Sequence, residues 1–306
     1  MIGDRLAIER FGNWTCQSGT SMAARCIVTP PNQPWSISSE PAICCHDDHR
    51  GLTLSCGSTT FSAIMQLPLR GTTTASGDPI MSDDTTLLAA LQHADSFFPG
   101  GGTAFSWGLE SLCNDRQITS AADVERFLAG QLRHRWASCD RPFLAAAHGA
   151  APDLEAIAAL DRALEAMTLP REMRDGSARA GGALLTIHDR LGTPGASGYR
   201  RRVRAGVAPG HLPVVQGLLF AALGLDAPTA GAMSAHMLSV NVVGAALRLG
   251  VISHIDAQRI LTAMRPLLAD ILSVPAPDVT EAGTYTPMTD AAVMRHEVQQ
   301  ARLFAN

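Results

Sequence analysis

The sequence predicts an all-α protein: a single helical bundle domain of about eight to ten helices that follows a non-helical N-terminal segment. Apolar residues recur at helical spacing almost throughout residues 81–306. Aromatic residues make up only 5% of the chain while Ala, Leu and Gly are abundant, a composition that favours closely packed helices over a β-sandwich. No run alternates between apolar and polar residues for long enough to predict a strand.

Residues 1–80 are the part that the helical pattern excludes. They are rich in Ser, Thr, Pro, Gly and Cys and show neither helical nor strand periodicity. Met81 follows directly, and Ser82-Asp83-Asp84 has the residue types that cap helix N-termini. We interpret residues 1–80 as a disordered extension or as the product of a mis-annotated upstream start codon, with a functional module as the third alternative. The predicted helical domain is therefore residues 81–306.

The helices of this domain are predicted in order from apolar spacing and from caps and breakers. Asp153 is a predicted N-cap, and Pro170 separates two helices. Gly224 and Pro228 divide the most apolar stretch, and the small residues after Pro228 would let that helix lie close to its neighbours. The predicted helices cover residues 82–95, 119–138, 154–167, 171–191, two helices within 212–252, 255–272 and 291–303.

Charge and cysteine content limit the function classes. The net charge of −4 argues against a general nucleic-acid binder. All 24 basic residues are Arg, so the chain has no lysine for a P-loop, a kinase site or a Schiff base. Only Cys113 and Cys139 lie beyond the first 56 residues, which is typical of a reduced, cytosolic protein. No apolar run reaches the length of a membrane span, and no secretory signal is predicted.

Two clusters of residues could have a function, but for each of them we favour an interpretation without one. Cys44-Cys45-His46-Asp47-Asp48, followed by His49, has ligand types that suit nickel or zinc, but adjacent Cys residues cannot easily share a tetrahedral site. No metal site and no cofactor are predicted. Tyr199-Arg200-Arg201-Arg202-Val203-Arg204 is a basic run, interpreted first as a solvated loop or helix end, then as a contact for an acidic partner, and last as a nucleic-acid contact.

A glycine turn near the start of the helical domain is the first of two informative motifs. It reads Pro99-Gly100-Gly101-Gly102-Thr103-Ala104-Phe105-Ser106-Trp107-Gly108-Leu109-Glu110. Pro99 ends the preceding helix, and the glycines allow backbone angles closed to other residues. Gly108, expected inside the following helix, indicates close approach of another backbone. A partner-facing or dimer-facing turn is favoured over a plain connection, and phosphate binding is the weakest alternative.

The second motif is the C-terminal tail. It places Arg295-His296-Glu297 four residues before Arg302-Leu303-Phe304. An arginine beside an apolar pair can dock in a partner's groove, because bidentate Arg contacts make such docking specific. The alternative is a last helix that packs on its own core, and the sequence leaves both open.

At these residues the chain resembles the family of the urease accessory protein UreF. The family pattern P-x-G-G-[FY]-x-x-S-x-G-L-E is matched at Pro99, Gly101, Gly102, Ser106, Gly108, Leu109 and Glu110. Thr103 stands where the family has an aromatic residue, and Phe105 supplies a ring two positions on. The family tail R-H-E-T-Q-Y-S-R-L-F-R-S is matched at Arg295, His296, Glu297, Gln299, Arg302, Leu303 and Phe304. Weaker matches lie between, at Arg171-Glu172-Met173-Arg174, at His211-Leu212-Pro213-Val214-Val215 and in the small-residue helix.

The resemblance, which covers residues 81–306, implies an all-helical and usually dimeric cytoplasmic adaptor rather than an enzyme. Members of the family bridge UreD (also called UreH) and the nickel-carrying GTPase UreG, and the complex docks on apo-urease to assist nickel insertion. The resemblance further implies modulation of the GTPase cycle, without nucleic acid or membrane as a partner. The expected partner-binding residues are Pro99, Gly101, Gly102, Phe105, Ser106, Gly108, Glu110, Arg295, His296, Glu297, Arg302, Leu303 and Phe304.

Two other function classes are weaker alternatives. An all-α enzyme would need a nucleophile–base pair or a metal motif, and neither is recognised in the sequence. A nucleic-acid-binding regulator would need a basic recognition helix, which the acidic balance disfavours.

Overall fold

The computed structural model describes residues 83–95, 97–300 and 302–305, together with the backbone of six strands between residues 9 and 63. The chain forms two compact units, residues 1–78 and residues 79–306, each of which is described by itself.

The N-terminal unit contains two antiparallel sheets. The first pairs β1 with β2, and the second has the order β3-β4-β5-β6. The strands are β1 Glu9–Thr15, β2 Ser21–Ile27, β3 Trp35–Ile37, β4 Ile43–Asp47, β5 Leu52–Cys56 and β6 Thr59–Ala63. The sequence does not predict them, and the two longest strands, β1 and β2, do not alternate strictly between apolar and polar residues.

Two expectations for residues 1–80 fall outside the described part. Disorder of residues 1–80 and a mis-annotated upstream start are not tested by the described strand backbones, and both stay predictions. The candidate metal cluster around Cys44 and Cys45 lies on β4, where the side chains are outside the described part as well.

The second unit confirms the all-α prediction. Its helices are α1 Asp83–Ala94, α2 Leu109–Asn114, α3 Ala121–Gln131, α4 Arg141–Ala150, α5 Leu154–Met167, α6 Arg171–Leu191, α7 Ala196–Arg204, α8 Leu212–Ala222, α9 Ala227–Arg248, α10 His254–Leu272 and α11 Pro287–His296. Two 3₁₀ turns, Gly102–Ala104 and Val279–Glu281, complete the described elements. A π-helical segment, Leu132–Asp140, joins α3 to α4 without a break, so the eleven α-helices form ten separate rods.

Local capping explains where several helices begin. Ser120 and Asp123 form a reciprocal capping box at the start of α3, and Ser253 and Asp256 do the same for α10. The Asp153 side chain accepts bonds from the first backbone N–H groups of α5, which confirms the predicted cap.

The π segment is held against the chain that leads into α11. The backbone N–H of Gly283 donates to the Ser138 carbonyl at 2.9 Å, and that of Tyr285 donates to the His134 carbonyl at 2.9 Å. These bonds fix the approach to α11 and so the place where the C-terminal tail starts.

The core is assembled around α8 and α9. In α8, a Cβ on Gly217 would lie 2.4 Å from the Leu144 carbonyl oxygen, so α8 and α4 cross with their backbones nearly in contact. The expectation that no apolar stretch reaches the length of a membrane span does not hold for the helix α9, which is long and apolar enough to cross one, yet 61% of its apolar window is buried inside the fold. It is therefore accounted for as the central core helix, in agreement with its small residues.

The basic run Tyr199–Arg204, interpreted first as a solvated loop or helix end, forms the C-terminal part of the helix α7, which is the second of these alternatives. One local prediction differs from the structure. The last helix, predicted over residues 291–303, runs instead over Pro287–His296. Beyond α11 the tail is not helical, and the backbone N–H groups of Leu303 and Phe304 donate to the carboxylate of Glu110 instead.

Candidate functional site

The glycine turn uses left-handed backbone angles that favour glycine. Gly101 has φ = +74° and Gly108 has φ = +79°. Gly108 is the N-cap of α2 rather than an interior helix residue, because α2 begins at Leu109. A Cβ on Gly108 would lie 3.2 Å from the Thr289 carbonyl oxygen in α11. The expected close approach of another backbone at this glycine is confirmed.

Glu110, in the first turn of α2, receives the returning tail. Its carboxylate accepts the backbone N–H of Leu303 at 2.7 Å and that of Phe304 at 3.0 Å. The His296 ring lies 3.1 Å away through Nε2. Glu110 is 4% exposed, so these bonds are shielded from water. The two sequence motifs, almost 200 residues apart, therefore meet at one carboxylate.

Glu172 of α6 completes the cluster on its other side. His296 Nδ1 lies 2.8 Å from Glu172 Oε2, and Arg302 Nη1 donates to Glu172 Oε1 at 3.1 Å. Both ring nitrogens of His296 face carboxylates, and a histidine can donate through both nitrogens only as the imidazolium. In that form two carboxylates would face two cations, His296 and Arg302, which is the balance that a buried ionic group needs. We call Glu110, Glu172, His296 and Arg302 the tail-closure cluster.

Further contacts seat the tail around this cluster. The Phe304 ring is buried in the main core and lies 4.3 Å below the Arg248 guanidinium carbon. The backbone N–H of Ala305 donates to the Ala104 carbonyl at 2.9 Å. The tail is also tied at its surface by Arg295–Asp115, Arg171–Glu297 and Gln299–Ser111 contacts.

The predicted site residues divide into two groups. Those buried inside the chain are Phe105, Ser106, Gly108, Glu110, His296 and Phe304. Those exposed or partly exposed are Pro99, Gly101, Gly102, Arg295, Glu297, Arg302 and Leu303. The sequence left open whether the tail docks in a partner's groove or packs on its own core. The side chains of His296 and Phe304 pack on the chain's own core. Only the second group offers side chains or backbone to a partner in this conformation.

Sequence reasoning missed Glu172 as a member of the site. The only signal was its place in the weak match Arg171-Glu172-Met173-Arg174. Asp115 and Arg248, which hold Arg295 and Phe304 from outside the two motifs, carried no signal at all.

The basic run on α7 is mostly paired within the chain. Arg200 contacts Asp189 at 2.6 Å, Arg202 contacts Glu155 at 3.0 Å, and Arg201 donates to Ser197 at 2.7 Å. These contacts favour the plain interpretation of a solvated helix face.

A second buried arrangement links α1 to the body of the fold. His93 of α1 stacks on His188 of α6 with ring centroids 4.9 Å apart, and Phe98 and Phe220 flank the His93 ring. Burial lowers the pKa of both rings, and it lowers that of His188 to about 4 with a smaller contribution from His93. Both imidazoles are therefore neutral in the folded protein at neutral pH.

Acid should loosen this contact. Because a histidine in the unfolded chain titrates near pH 6.5, the unfolded state binds more protons as the pH falls towards 4, and stability is lost across that window. We expect His188→Gln to flatten this part of a plot of thermal unfolding midpoint against pH. The exposed His254→Gln serves as the control and should leave the slope as it is. Equal slopes in all three proteins would show that other groups set the acid sensitivity.

Among the described residues no group of three or more His, Cys, Asp or Glu side chains is arranged to hold a metal ion. In the tail-closure cluster Glu110, Glu172 and His296 are buried, Arg302 is partly exposed, and the four groups pair with one another. Such a cluster stabilises one conformation of the tail. The fold and this site together define an all-helical unit whose C-terminal tail is held against α2 and α6.

Comparison with known proteins identifies the family. The UreF family model matches residues 118–265. The chain is 33% identical over 236 residues to a urease accessory protein UreF of Trichodesmium erythraeum, across 74% of this chain and 100% of that relative. It is 32% identical over 222 residues to that of Actinobacillus pleuropneumoniae (71% and 98% covered) and 30% identical over 224 residues to that of Haemophilus influenzae (72% and 95% covered). The chain belongs to the UreF family of urease accessory proteins, and its general role is in urease maturation.

Proposed function

We propose that this chain is a cytoplasmic, non-catalytic adaptor that bridges UreD/UreH and the GTPase UreG. The assembly acts on apo-urease, assists nickel insertion and modulates the GTPase cycle. Family membership and the resemblance of both end motifs support this proposal. The adaptor acts through surfaces, with no cofactor of its own.

The observation that carries the proposal is the exposed face of the locked tail. Leu303 is 62% exposed although the next residue, Phe304, is buried, and Val298 is 82% exposed. The exposed guanidinium groups of Arg295 and Arg302 lie on the same tail and are held by Asp115 and Glu172. Arginine is enriched among the residues that dominate binding energy, and here two arginines share one short tail with two exposed apolar side chains.

The proposed partner surface is therefore smaller than the sequence motifs. It comprises the exposed tail residues together with Pro99 and the glycines of the turn, whereas the buried motif residues hold it in place. A homodimer is part of the proposal. The helix α1, which exposes Leu87, Leu88 and Leu91, is the candidate dimer face.

Co-purification tests the adaptor role. The full chain is mixed with the cognate UreD and UreG proteins and analysed by size-exclusion chromatography with and without nickel and GTP. We expect a co-eluting complex that contains all three proteins. A folded chain that elutes without either partner would overturn the proposal.

A single substitution tests the surface. We expect Leu303→Asp to weaken complex formation by about tenfold or more, as loss of a central apolar anchor does, while the helical circular dichroism is retained. The matched control is Ile255→Asp on α10, because Ile255 is 61% exposed and lies outside the proposed surface. Equal loss of binding in both variants would mean that the effect is general and that the tail is not the contact.

A further inference from the structure

A cavity of about 130 Å³ lies beneath the glycine turn. The turn covers it closely, since a Cβ on Gly102 would lie 2.3 Å from Asn241 Nδ2 of α9. The cavity is lined by side chains from α1, the π segment, α8 and α9, among them His93, Arg135, Asp140 and Gln216. The pairing of its polar groups decides what the cavity can hold.

Arg135 and Asp140 form a buried ion pair with a gap. Arg135 Nε lies 3.7 Å from Asp140 Oδ2, beyond hydrogen-bond distance, and it has no hydrogen-bond partner. The Arg135 side chain is only 5% exposed. A buried ion pair without hydrogen bonds is costly, and both groups keep hydrogen-bonding capacity that a molecule in the cavity could use.

His93 adds an unused acceptor to the same cavity. Its Nδ1 lies 2.6 Å from the Ala89 carbonyl and so carries the proton, which leaves Nε2 as an acceptor. Nε2 is buried and has no partner among the described residues. On the opposite wall Trp136, Ser234 and Gln216 satisfy one another, with Trp136 Nε1 donating to Ser234 Oγ at 3.2 Å and Ser234 Oγ donating to Gln216 Oε1 at 2.8 Å.

The unused groups are therefore one cationic donor, one carboxylate and one neutral imidazole acceptor. An anion would be attracted by Arg135 but repelled by Asp140, and a cation would meet the reverse. A neutral molecule keeps the charge balance of the pair. It needs one acceptor for Arg135 and several N–H donors for Asp140 and His93.

We propose that this cavity binds a small neutral amide, of the primary amide or urea type, between Arg135 and Asp140. The amide oxygen accepts from Arg135 Nε, and the amide N–H groups donate to the Asp140 carboxylate and to His93 Nε2. Trp107, whose ring lies 5.7 Å from the Arg135 guanidinium carbon, and Trp136 flank the site and report on it. The proposal does not depend on the adaptor role.

Titration of the full chain, followed by the indole N–H resonances of Trp107 and Trp136, tests the proposal. The probes are acetamide and urea at non-denaturing concentrations, with formate as the anion and methylammonium as the cation. We expect saturable shifts with the two amides and none with the ions. Saturation with formate would make the cavity an anion site and overturn the proposal. Shifts that grow linearly with every probe would show that it holds water only, and would overturn it as well.

Substitutions locate the site. Arg135→Met combined with Asp140→Met removes both charges together, so neither is left unpaired, and it should weaken amide binding about tenfold or more. Arg126→Met, which removes a 73% exposed arginine from α3, is the control and should leave binding unchanged.

Asp140→Asn provides a second route should the double variant not fold. It preserves the shape of the side chain but removes its charge, so Arg135 is no longer balanced. The preference should then move from the amides towards formate. An unchanged preference would contradict the proposed role of the pair.

Discussion

Glu110→Ala should destabilise the protein by about 3–5 kcal/mol, the range found when one partner of a buried ionic group is removed. The substitution leaves the backbone N–H groups of Leu303 and Phe304 without their acceptor. It also leaves His296 with one carboxylate instead of two. Chemical denaturation followed by circular dichroism measures the loss, and the denaturant slope shows whether the tail is released before the rest unfolds.

Glu155→Ala is the matched control for this substitution. Glu155 is likewise a glutamate in the first turn of its helix with cationic partners, Arg162 and Arg202, but its side chain is 66% exposed. Exposed pairs are worth less than about 1 kcal/mol, so its unfolding midpoint should change little. If the two variants unfold at the same denaturant concentration, the tail-closure cluster does not stabilise the fold.

A consequence for function follows from the position of Glu110. The carboxylate does not reach the surface, yet it fixes the backbone next to Leu303, which is the exposed apolar residue of the tail. Glu110→Ala should therefore weaken partner binding indirectly and together with stability. Leu303→Asp should weaken binding alone, so the two variants separate a positioning role from a contact role.

The features that the sequence predicts well are those with local causes. The cap at Asp153, the breaker at Pro170 and the apolar spacing of α10 act within a few residues, and the helices they define are found. The prediction for Gly108 is correct in part. The sequence indicates that another backbone lies close to this glycine, but it does not indicate that this backbone is that of Thr289.

The features that the sequence does not predict depend on residues far apart. The end of α11 is set by what the tail meets, and the bond from Leu303 to Glu110 spans 193 positions. Glu172 enters the site only when α6 packs beside α11. The separation of Arg135 from Asp140 depends on the π geometry of the segment that carries both. A single sequence has no local pattern for these contacts.

A pair of adjacent glycines in α6 provides a second large effect. A Cβ on Gly181 would lie 2.1 Å from the carbonyl oxygen of Gly210, whereas a Cβ on Gly182 would have nothing within 4 Å. The loop at Gly210 cannot easily move away, because its backbone is bonded to a buried carboxylate. Asp161 accepts the backbone N–H of Gly210 at 2.6 Å and that of His211 at 2.9 Å.

Gly181→Ala should therefore cost about 3 kcal/mol, at the upper end for overpacking, because the added methyl meets backbone rather than a side chain that can move. Gly182→Ala, one position along the same helix, should stabilise the protein by up to about 1 kcal/mol, since alanine favours helix where there is room. Thermal unfolding of the two variants beside the natural sequence measures both signs. Destabilisation by both would point to a general intolerance of α6, and tolerance of both would mean that the Asp161-bound loop yields after all.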